Sequence, residues 1–263
     1  LIARSPDTLL IDLKAVSAQF GVITDLVRKE GEQAQGTEVQ DRIEDISGQQ
    51  DLTAQTSGCI STCQNKGTIE GDVNVGGIAG AMAIDLEFDP EDDLVREGER
   101  SLNFLIQAKA TTFACVNSGS VTGKKDHAGG VVGRMDLGRV EHCENYGDVT
   151  STDGSYVGGI AGAAQGAIRE GWSRCTLSGN HYIGGIAGFG QNLTDWRAAV
   201  EVAAGSAYVG AIAGDVDSKG DVFDNLFVSD SLAAIDGISY EAKAEPITFE
   251  ALCAMSGVPE EFS

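Results

Sequence analysis

The sequence predicts an all-β chain wound as a parallel β-helix, a β-solenoid. Three observations carry that prediction. A glycine-rich segment, Val75-Gly76-Gly77-Ile78-Ala79-Gly80, returns at 128–133, 157–162, 183–188 and 209–214. Its first glycines, Gly76, Gly129, Gly158, Gly184 and Gly210, are 53, 29, 26 and 26 residues apart, and the first step is close to two of the later ones. A period near 26 residues marks a solenoid. Ahead of each motif lies one apolar residue at a near-constant offset of seven to nine positions: Ile69, Val121, Val149, Leu177 and Val202. The composition agrees, with 35 glycines and 4 prolines. That is too much glycine for a helical protein, and short alternating apolar runs suit strands.

Each unit reads as a strand around the Val/Ile/Leu, a tight turn, a second strand at the glycine motif, and a third segment such as Gly138-Arg139-Val140-Glu141-His142-Cys143. Three short strands per ~26 residues make one coil, and coils stack at ~4.8 Å. The expectation is about 5–6 coils over residues 51–231, right-handed because the period is too long for hexapeptide left-handed coils. The motif glycines are expected at corners, where positive φ and crowding both favour them. Residues 222–228 read as a last coil whose aromatics cap the stack.

The flanks differ. Residues 1–50 read as a helical segment: Ser5 as N-cap, Pro6 at the first helical position, then Leu9, Leu10, Leu13, Val16, Phe20, Ile23 and Val27 as an apolar stripe. A more polar helical piece is expected over 38–46. Residues 86–100 form an acidic insertion that interrupts the repeat. Residues 232–263 form a tail, in which Thr248 caps a short helix over 249–255 before Gly257 and Pro259.

Charge excludes whole classes of partner. Lys and Arg number 18 against 40 Asp and Glu, a net charge of −22. Nucleic acid and anionic membrane surfaces both require a basic face. No apolar run is long enough to cross a bilayer, so the chain is expected not to be membrane-inserted and to be a monomer. It begins at Leu1 and reads as a segment of a longer protein, with any leader or anchor outside it.

A Cys-x-Asn-x-Gly-x-[Val/Ile]-x-[Gly/Ser] pattern occupies 63–71, 115–123 and 143–151, the last followed by Tyr156-Val157-Gly158-Gly159-Ile160-Ala161-Gly162. This resembles the GLUG-motif repeats of large bacterial surface proteins, and the resemblance covers about 57–214. It implies a β-helical repeat in an extracellular, surface-attached setting, in adhesin-like proteins or in non-catalytic regions of secreted peptidases. It assigns no catalytic residue.

Six cysteines are present without a Cys-x-x-Cys pair, which leaves no zinc site. Cys63, Cys115 and Cys143 share one repeat position, with Cys175 close to it, and read as small core residues. Asn65, Asn117 and Asn145 read as turn-bonding side chains. Asp215 to Asp221 faintly resembles a calcium loop, but Leu226 falls where a bidentate acid is required. Glycan cleavage would draw on Arg134, Asp136, Glu141 and Lys124, if they share a face. His127, His142 and His181 lack a suitably spaced nucleophile. Tyr146, Trp172 and Trp196 are candidates for stacking on sugar, whereas Tyr156, Tyr182 and Tyr208 fall at 26-residue steps and read as a stacked ladder. The expectation is a non-enzymatic extracellular spacer or adhesin segment of a bacterial surface protein, facing a host or bacterial surface glycan or protein. It has no catalytic, cofactor-binding or metal residues and no cofactor. The alternative is a glycan-binding or glycan-cleaving β-helix.

Overall fold

The computed structural model describes residues 43–48, 58–84, 106–235 and 243–263. The helix expected over the first 42 residues and the insertion at 86–100 lie outside these. Two compact units are present. The smaller takes in Leu1–Glu44 and Asp85–Gln107. Ile43–Asp45, expected as the end of a helical piece, pairs as a strand with Ile106–Ala108. This polar stretch has no apolar stripe to hold a helix in place, and a partner strand satisfies its backbone.

The larger unit, Asp45–Ile84 with Ala108–Ser263, is the solenoid. Strands of successive coils pair parallel and in register. Ile69, Val121, Val149, Leu177 and Val202 form one ladder. Gly76, Gly129, Gly158, Gly184 and Gly210 form another. Both are the alignments read from the sequence. The stack is five strands deep on these faces and makes about 4 turns. A partial sixth coil follows, as Val222–Phe223 and Asn225–Val228 pair with the fifth. Pairing runs on beyond residue 231: Ile235 bridges Ala213, and Ala244–Pro246 adds to Asn225–Val228.

Corners divide each coil more finely than three strands. The first coil is Cys59–Ser61, Gln64–Asn65, Ile69–Gly71, Val75–Gly76 and Ala79–Met82. Two of its corners carry left-handed backbone in coil after coil, and at neither does a glycine supply it. One corner is Thr62, Ala114, His142, Glu170, Asp195 and Asp224; the other is Asn74, His127, Tyr156, Tyr182 and Tyr208, all with φ between 50° and 68°. The expectation that motif glycines supply positive φ is therefore corrected. They answer crowding instead. A Cβ on Gly158 would run into the Ala161 carbonyl, and one on Gly159 into the Gly185 carbonyl of the next coil.

The interior holds two apolar clusters. One contains Val131, Met135, Cys143, Ile160, Ile186, Trp196 and Ile212; the other contains Val121, Val149, Val157, Leu177 and Ile183. Between them runs an amide ladder. Asn65 Nδ2 donates to Asn117 Oδ1 at 2.7 Å, and Asn117 Nδ2 donates to Asn145 Oδ1 at 2.7 Å. Each asparagine also closes its own turn on Gly67, Gly119 or Gly147. Cys175 does not extend the cysteine ladder. Asn145 pairs with Ser173, so Cys175 stands at the Gly147 position, its Sγ 3.7 Å from Ser173 Oγ. Above Cys143 the ladder continues as Gly171 and then Trp196. A Cβ at Gly171 would strike the Trp196 indole, which lies fully buried in the space left free there. Trp196 is thus a core residue and no sugar platform.

At the C-terminal end Thr248 caps the helix Phe249–Cys253, its Oγ1 accepting from the Ala251 amide at 3.2 Å. The last residues fold back on the flank of the solenoid. Phe262 is buried against Trp172, with ring centroids 4.8 Å apart. Arg174 donates to the Phe262 carbonyl at 2.5 Å, and Ser118 Oγ donates to Glu261 at 2.9 Å.

Candidate functional site

The outer surface beside the Thr62-to-Asp224 corner is where side chains of mixed chemistry converge. Because the coils are in register, each corner residue brings a fixed set of neighbours. Glu141, Arg169, Thr194 and Phe223 form one outward column just before the corner. Glu144, Trp172, Arg197 and Leu226 form a second just after it. Between them the left-handed residues His142, Glu170, Asp195 and Asp224 project from the turn.

A cleft of about 820 Å³ lies along this flank, lined among others by Arg169, Asn192, Thr194, Asp221, Phe223 and Glu245. A smaller one, about 330 Å³, lies between His142, Glu144 and Trp172 on the coils and residues 255–259 of the tail. Both share Glu170, Asp195 and Arg197. Phe223, 47% exposed, offers an open aromatic face.

Two of the carboxylates here are held by guanidinium groups. Arg197 Nη2 meets Asp195 Oδ1 at 2.7 Å, and its other nitrogen donates to the carbonyls of Trp196 and Asp224 at 3.1 and 3.2 Å. Arg139 pairs with the largely buried Glu141. His142 Nε2 lies 3.4 Å from Glu170 Oε2. Tyr146 donates to Glu144 at 2.6 Å, and burial together with that carboxylate pushes the phenol above its usual range. Glu141, His142 and Glu170 present ligand atoms within 4.8 Å of one another, a spacing that suits a metal ion, although Arg139 already holds the Glu141 carboxylate.

The four residues proposed for glycan cleavage are not one group. Arg134 and Asp136 pair with each other at 2.7 Å beside the Val132–Met135 strand. Lys124 follows the Val121–Gly123 strand, where its backbone pairs with Gly71. Only Glu141 borders the corner just described. The Asp215-to-Asp221 loop is a turn in which the Asp217 carboxylate accepts from the Lys219 amide at 2.8 Å. The tyrosine ladder is present as expected: Tyr156 and Tyr182 stack at 4.7 Å, Tyr182 and Tyr208 at 4.4 Å, with rings nearly parallel. His127 extends it at 5.1 Å and reaches Asn74 Oδ1 through Nδ1 at 2.9 Å. Sequence reasoning passed over Arg169, Asn192, Thr194 and Phe223. Arg169, Thr194 and Phe223 share one coil position and Asn192 lies two residues before it, but three of the four are polar residues common on any surface.

Comparison with family models, characterised proteins and solved structures finds no match to this chain.

Proposed function

We propose that this chain is a non-catalytic module of a bacterial cell-surface protein, a rigid β-helical spacer that grips a surface polysaccharide along its cleft flank. The observation that carries this reading is the cleft itself. It runs across successive coils, so donors and acceptors recur along one line beside the aromatic face of Phe223, as an extended polyhydroxylated chain requires. The ion pair of Asp195 with Arg197 within the cleft supports binding over catalysis, since it gives that carboxylate a fixed structural partner. The extracellular setting rests on the resemblance of 63–71, 115–123 and 143–151 to GLUG repeats.

The test is a panel of immobilised neutral, uronate-bearing and amino-sugar polysaccharides, with a reducing-end assay run alongside. Wild type is expected to retain at least one class without releasing reducing ends. Arg169→Ala and Phe223→Ala are expected to weaken retention about tenfold each, as for a central contact, at unchanged melting temperature. Retention of no polysaccharide would sink the reading. Release of reducing ends would replace it with glycan cleavage.

A further inference from the structure

The cysteine ladder ends in a chemically asymmetric pair. Cys63 and Cys115 precede residues paired in register, Gln64 and Val116, so they occupy the same position in the first two described coils. In-register neighbours lie ~4.8 Å apart, inside the ~4.4–6.8 Å Cα range of disulfides. The two residues are in contact: the Cys63 amide donates to Cys115 Sγ at 3.4 Å, and the Cys63 thiol lies close enough to Cys115 to be perturbed by it. Cys63 is exposed, whereas Cys115 and Cys143 are fully buried. All six cysteines are free thiols.

We propose that Cys63 and Cys115 form a redox-active pair that exchanges with a small-molecule disulfide and closes to a covalent staple between the first two coils. The roles follow from exposure. The Cys63 thiolate attacks the external disulfide RSSR, forming Cys63–S–S–R and releasing one RSH. Cys115 then attacks Cys63 Sγ, the Cys63–Cys115 bond forms, and the second RSH leaves. Two protein thiols are oxidised and one RSSR is reduced to two RSH, so electrons and protons balance.

Cys115 is the inner thiol placed to resolve the mixed disulfide. The Cys143 thiol, aided by the Cys63 amide and opposed by burial, holds the Cys115 pKa below its usual range. Cys115 and burial together push the Cys143 thiol well up, and it donates to the Glu141 carbonyl at 3.4 Å. Partial desolvation and the Cys115 thiol raise Cys63, so exchange is slow at neutral pH and quickens as pH rises. Cys143 lies one coil further in, where no external disulfide reaches it.

The experiment is incubation of the intact chain with oxidised glutathione, followed by non-reducing peptide mapping and a melting curve. The expected product joins the Cys63 and Cys115 peptides, with Cys143 still alkylatable after unfolding and a raised melting temperature. Cys115→Ser should arrest the reaction at glutathione on Cys63; Cys63→Ser should leave the interior thiols unmodified. Stable glutathionylation of Cys63 in wild type, a Cys115–Cys143 link, or six thiols persisting in wild type would each overturn the proposal. The wild-type map alone decides it if either variant fails to fold.

Discussion

Asn117 shows how much one side chain can carry in a stacked coil. Its amide donates to Gly119 O and Asn145 Oδ1 and accepts from Asn65 Nδ2 and the Gly119 amide, which uses its whole capacity. Asn117→Ala removes all of these in a buried setting, leaves the Gly119 turn unclosed and takes one partner each from Asn65 and Asn145. The expected loss is about 3 kcal/mol, read as a lower urea midpoint at unchanged m. Asn65→Ala, at the partly exposed end of the ladder, should cost about 1 kcal/mol. A cost at Asn117 no larger than at Asn65 would contradict the ladder. The motif glycines act at the same scale: Gly158→Ala should prevent the coils from closing to register, because the backbone carbonyl it would strike cannot retreat.

At the scale of an element, the aromatic ladder is a continuous stack from His127 to Tyr208. Each face-to-face pair contributes ~0.5–1.5 kcal/mol beyond its burial. Tyr182→Ala breaks two pairs and should cost more than Tyr208→Ala, which breaks one; equal losses would contradict stacking. His127 adds a pH dependence. Burial lowers its pKa, with Arg134 acting in the same sense and Asp126 and Asp136 against it. The folded state therefore favours the neutral ring. Its contribution is complete above the unfolded value, ~6.5, and is lost as pH falls below that toward the folded value. His127→Tyr would lengthen the ladder and remove this term. Melting curves between pH 8 and 5 should show a shallower acid decline in the variant than in wild type, and identical declines would refute the assignment.

For the whole molecule, the net charge of −22 opposes a compact stack. Raising salt from ~10 mM to ~150 mM shortens the screening length from ~30 to ~8 Å, and the melting temperature should rise; a fall would mean that ion pairs such as Arg197 with Asp195 outweigh the repulsion. The same whole-molecule view explains what the sequence revealed. The ladders of Ile69 and Gly76 were legible because packing and crowding demand the same residue type in every coil. The left-handed corners were not, because Thr62, Ala114, His142, Glu170, Asp195 and Asp224 share a backbone angle and no side-chain chemistry. Cys175 lies four positions past the ladder site at Gly171, because Ser173 and Cys175 imitate an Asn–Gly turn with other atoms. The cleft was illegible for a related reason: its lining comes from many coils, and no single repeat contains it.

Gly171 and Trp196 bear on how such a chain can lengthen. Where neighbouring coils carry like residues, as at Cys63, Cys115 and Cys143, a duplication of residues 115–142 would give a daughter coil that meets cysteine above and below. The fourth and fifth coils have no such freedom. Trp196 fits only over a level that has given up its side chain, so excising the coil that holds Gly171 would set an indole directly upon Cys143. These two coils are inherited as a couple, and growth or shrinkage of the array by whole units belongs to its N-terminal half.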